Sequence, residues 1–111
     1  MKNWYKEIEP EFLEFPPEMQ ILHLVSDLKK AEHLSSSSPE SSKNHLYRAI
    51  ILLDYIVSDP KWRGKLRELL RLREVIESLI FGTPYGTCQA VIKAALLMEP
   101  LAYRKLRPSK K

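Results

Sequence analysis

Arg63, Arg67 and Arg71 recur every fourth residue, a spacing that sets three guanidinium groups in one row along an α-helix. Lys61, Lys65 and Arg73 stand close by, and a second basic cluster follows at Arg104, Lys105, Arg107, Lys110 and Lys111. Such a row could track the phosphates of a nucleic acid or meet an acidic protein surface. Glu68, Glu74 and Glu77 dilute it, and the spacing predicts ion pairs from Arg71 to Glu74 and from Arg73 to Glu77. A charged face turned to water explains the same residues.

Other residue types that do chemistry are scattered. His23, His33 and His45 share no recognised ligand spacing with one another or with a carboxylate, so no metal site is expected. Cys88 is the sole cysteine, and only a helix start beside it could activate its thiol. Asp54 interrupts an apolar run and must be exposed or paired with a cation. Thr83-Pro84-Tyr85-Gly86-Thr87-Cys88 could present backbone N–H groups to an anion at a helix start, and ordinary capping accounts for it as well. No paired carboxylates, nucleophile–base pair or glycine-rich phosphate loop is recognisable. The expectation is a protein that is not an enzyme and carries no cofactor.

The elements that would position these groups are helical. Residues 1–16 form an arm whose Tyr5, Ile8, Phe12 and Phe15 fall on one helical face, although Pro10 argues against a single helix. Its aromatics Trp4, Tyr5, Phe12 and Phe15 could dock into a partner or pack on the chain's own body. Pro17 suits the first turn of a helix over 17–34, with Ile21, Leu24, Val25, Leu28 and Ala31 facing inward. A serine-rich loop follows, and Ser38-Pro39-Glu40 predicts a cap and start for a helix over 39–58. That helix carries Leu46, Ala49, Ile50, Leu53, Ile56 and Val57 inward, and Ile51 and Leu52 widen its apolar surface.

Asp59-Pro60 restarts the chain at once, for a helix over 60–81 with Trp62, Leu66, Leu69, Leu70, Ile76, Leu79 and Ile80 in its core stripe. A last helix is expected over 84–98, although Gly86-Thr87 offers a competing start. So short a link between the second and third bundle helices forces them antiparallel, which does not suit a DNA-reading helix-turn-helix.

The reading is therefore an all-α fold, a small four-helix antiparallel bundle with an N-terminal aromatic arm. It is one domain of 111 residues, with a core over 17–98 and a basic tail over 99–111. Residues 1–58 carry six Lys/Arg against nine Asp/Glu, while residues 59–111 carry twelve against five. The lone cysteine and the absence of a signal peptide or a long apolar run point to a cytoplasmic protein without a membrane segment. Polarised charge and aromatic surface favour a protein-interaction module, with another protein or a second copy as partner. The competing expectation is a nucleic-acid-binding accessory protein that uses the basic third helix of the bundle and the C-terminal tail.

Overall fold

Proline placement and apolar spacing set the helices. The computed structural model describes the backbone of residues 4–81 and 86–99, with side chains from residue 9 onward. It contains α1 (Trp4–Glu14), α2 (Pro17–Leu34), α3 (Pro39–Ser58), a 3₁₀ segment (Pro60–Lys65), α4 (Leu66–Phe81) and α5 (Cys88–Met98). No strand occurs among the described residues.

α2 and α3 begin on prolines, whose missing N–H is one that a helix start leaves unpaired in any case. The expected Ser38 cap is not made, and the Ser38 side chain bonds none of the first-turn N–H groups. α1 runs through Pro10 as one helix, contrary to the broken arm expected. The proline costs it a single bond, to the carbonyl of residue 6.

The α2–α3, α3–α4, α4–α5 and α5–α2 pairs are packed together, so α2, α3, α4 and α5 form a closed ring. Cross-helix bonds give their directions. Ser42, near the start of α3, donates to the Ala31 carbonyl near the end of α2 at 2.5 Å. Cys88, at the start of α5, donates to Leu28 O in the second half of α2 at 3.1 Å. With the His45–Asp27 contact, the Ser42 bond makes α2 and α3 antiparallel, and the inward stripes of α2, α3 and α5 fill the core largely as their spacing predicts.

The third bundle helix departs from expectation. Residues 60–65 form a 3₁₀ segment, and each 3₁₀ residue turns the chain about 20° further than an α residue. Over the three steps from Trp62 to Lys65 the phase of the stripe shifts by about 60°. Trp62, Leu69, Leu72, Ile76 and Ile80 are buried. Leu66 and Leu70, expected in the core, are 40% and 45% exposed.

One end of the ring is closed by a buried polar cluster. The Gln20 side chain, fully buried on α2, donates from Nε2 to Phe12 O at 3.1 Å and to Asp59 Oδ2 at 3.0 Å. Its Oε1 accepts from Trp62 Nε1 at 2.7 Å. Asp59 caps the 3₁₀ segment through the Lys61 N–H, and Lys61 Nζ bonds both Asp59 and the Leu13 carbonyl. Burial pushes the Asp59 carboxyl up, but bonds from the Gln20 amide and from the Lys61 N–H and ammonium outweigh it and hold the group below its ordinary range.

Two expectations follow. Gln20→Leu strands the Trp62 N–H away from water, while the Phe12 carbonyl keeps the Phe15 N–H as a donor, and should lower unfolding stability by about 1–3 kcal/mol, measured by urea denaturation. Asp59 has a depressed folded-state pKa, so its stabilising contribution is complete above the ordinary carboxylate pKa and is lost as pH falls below about 4. Asp59→Asn should flatten that acid limb of the stability–pH curve.

Candidate functional site

Arg63 sits on the 3₁₀ segment, and Arg67 and Arg71 lie on the first two turns of α4; all three are exposed. Among the described residues none of them, nor Lys65, pairs with a carboxylate. The expected Arg71–Glu74 pair is not made. Arg73 is engaged instead: it bonds Asp54 on α3 at 2.7 Å and Glu77 one turn on, and these acids, Asp54 first, raise its pKa. Asp54 is thus the exposed, cation-paired carboxylate that its sequence position called for, with Arg73 as its partner.

Helical geometry orders this face. At about 100° per residue, the order from the α3 side outward is Arg73, Leu66, Glu77, Leu70, Glu74, Arg67 and Arg71. Two exposed leucines therefore lie between a neutralised cation and a row of unpaired ones. Isolated exposed leucines are ordinary, but a leucine pair bordered by unpaired guanidinium groups is a coherent surface. Sequence reasoning named the arginines and placed the leucines in the core; the 3₁₀ segment is what brings both kinds to one surface.

The remaining candidate residues sort differently. Phe12 is a core residue at 2% exposure, its ring centroid 6.0 Å from that of Tyr55 on α3. Phe15 is half-buried and stacks on the His23 ring at 5.1 Å. These two aromatics are consumed by the bundle itself, which corrects their assignment as partner-docking groups. Trp4 and Tyr5 belong to α1, and their side chains lie outside the described ones, as do Arg104, Lys105, Arg107, Gly82, Thr83, Pro84 and Tyr85. α5 takes the later of the two expected starts, with Thr87 capping the Ala90 N–H at 3.0 Å.

Asp27, His45, Ser42 and Cys88 each make contacts between helices. Asp27, buried on α2, holds His45 Nδ1 at 3.0 Å and lies 3.6 Å from Arg48 Nε, a pairing that locks α2 to α3. An Asp–His pair is the orienter and base of a hydrolytic triad. Here no described hydroxyl or thiol bonds the imidazole: Ser42 donates to Ala31 O and Cys88 to Leu28 O.

Cys88 borders a cleft of about 480 Å³ at the opposite end of the ring from Gln20, floored by Ala31, Leu46 and Leu79. Burial first and the Glu32 charge second push its thiol up to about 11, which suppresses the thiolate that nucleophilic chemistry requires. No group of three or more metal-ligating side chains converges among the described residues, and no described helix is long and apolar enough to cross a membrane. Comparison with protein-family models, curated proteins and solved structures finds no match.

Native Cys88 should react with an aromatic disulfide reagent at pH 8 on the order of a hundredfold more slowly than free cysteine, and regain the ordinary rate in denaturant. Absorbance of the released thiolate follows both rates.

Proposed function

We propose that this chain is a protein-interaction module rather than an enzyme, and that it docks its partner on the outer face of the 3₁₀ segment and α4. The observation that carries the reading is the adjacency of exposed Leu66 and Leu70 to unpaired Arg63, Arg67 and Arg71. A partner surface that offers carboxylates beside apolar side chains satisfies both at once. Apolar contact supplies the affinity, and the arginines supply orientation and rate of encounter.

The same face fits a nucleic acid less well. A phosphate backbone would meet the guanidinium groups and leave the leucines in water, since single strands stack on aromatic rings and no aromatic side chain stands between the arginines in sequence. The involvement of Asp54, His45 and Cys88 in structural contacts supports the non-catalytic half of the reading.

The test is a titration of the protein, followed by NMR chemical shifts, with a synthetic peptide that carries glutamates and leucines on one helical face. Shifts should concentrate on residues 63–71. Both Arg67→Ala with Arg71→Ala and Leu66→Ser with Leu70→Ser should weaken binding at least fivefold, while the helical circular dichroism is unchanged. Tight binding of duplex DNA that is indifferent to the leucine pair and collapses with salt would replace this reading with the nucleic-acid one.

A further inference from the structure

The cleft beside Cys88 lies where four helices meet. The last turns of α2 and α4 reach its wall through Glu32 and Leu79, and the first turns of α3 and α5 through Ser42 and Cys88. Two helix ends and two helix starts offset one another's partial charges, so side chains decide the local field. The volume of about 480 Å³ falls within the roughly 300–1,000 Å³ of small-molecule sites.

Most polar groups of the wall are already engaged by the protein. Ser42 donates to Ala31 O, Cys88 to Leu28 O and Ser35 to Glu32 O, while the Thr87 hydroxyl accepts from the Ala90 N–H. Burial keeps the Cys88 thiol protonated at neutral pH, so it adds no charge. Glu32 differs from all of these. Its half-buried side chain forms no ion pair among the described residues, and no described Lys, Arg or His lines the cleft. Its charge also reaches the interior, where it is the second cause, after burial, of the raised Cys88 thiol.

We propose that this cleft binds a small organic ammonium ion, whose N–H groups meet the Glu32 carboxylate while its apolar body lies against Ala31, Leu46 and Leu79. An anion of the same size would be repelled by Glu32. A neutral apolar molecule would take water from the carboxylate and give it no partner. An ammonium ion with a hydrocarbon body satisfies the charge and the apolar lining together. The site is separate from the docking face, since Leu79 stands on the last turn of α4 and Leu66 to Arg71 on the first two.

NMR titration of the full chain with phenethylammonium chloride tests the site, with phenethyl alcohol and hydrocinnamate as neutral and anionic controls of like size. The amine should bind saturably, with a dissociation constant on the order of millimolar, as a ligand of this size allows. Its shifts should centre on the amides of residues 31–35 and 87–89 and on the methyl groups of Leu46 and Leu79. The alcohol should bind at least fivefold more weakly, and hydrocinnamate should not saturate. Glu32→Gln should reduce the amine to the affinity of the alcohol. Glu32→Lys should abolish amine binding and admit hydrocinnamate, and the helical circular dichroism of both variants should match the wild type. Comparison of the three compounds on the wild-type protein needs no variant at all. Equal affinity for all three, an amine affinity indifferent to both substitutions, shifts centred elsewhere, or no saturable binding overturns the proposal.

Discussion

The amide of Gln20 stands where the bundle would otherwise be hydrocarbon, and it joins three parts of the chain that sequence keeps far apart. Its nitrogen holds a carbonyl of α1 and the carboxylate of Asp59, and its oxygen holds the indole of Trp62. A buried amide is tolerable only when its donors and acceptor are occupied together, so these contacts are conditions on one another. Seating Trp62 in this way fixes the 3₁₀ segment capped by Asp59, and that segment sets the angular phase with which α4 enters the bundle. The exposure of Leu66 and Leu70 is therefore linked to a bond formed well away from them.

The two ends of the ring are unlike for the same reason. At the Gln20 end, polar groups are matched and α1 is drawn onto α3. At the Cys88 end, an apolar cleft lies between the α2 terminus and the α5 start, and the thiol beside it is kept protonated by burial. Between the ends, ion pairs lock neighbours side by side: Asp27 with His45 and Arg48 joins α2 to α3, and Asp54 with Arg73 joins α3 to α4. Arg67 and Arg71, in none of these pairs, lie on the outside of α4.

The helices of the bundle were legible wherever the controlling forces are local. Pro17 and Pro39 mark the first residues of α2 and α3, and their apolar spacing identifies the faces they bury. Arg63, Arg67 and Arg71 were legible as an exposed row because a four-residue repeat needs nothing beyond the helix itself. The phase of α4 was not, since continuous α geometry puts Leu66 near Trp62 and only the tertiary bond from Gln20 to Trp62 reveals the tighter turn. Gln20 had one signal, its place four residues before Leu24 on the buried stripe of α2; a polar side chain there reads as a flaw in the stripe until its partners are seen. The burial of Phe12 depended likewise on the docking of α1, which Pro10 obscured.

The attachment of α1 also governs how its outward surface is free to change. Gln20 and Lys61 grip the backbone carbonyls of residues 12 and 13, atoms that every amino acid supplies. Substitutions on the solvent side of α1 leave that grip intact. The helix can drift in charge over generations while its position holds, a division of labour that lets the surface evolve without renegotiating the fold.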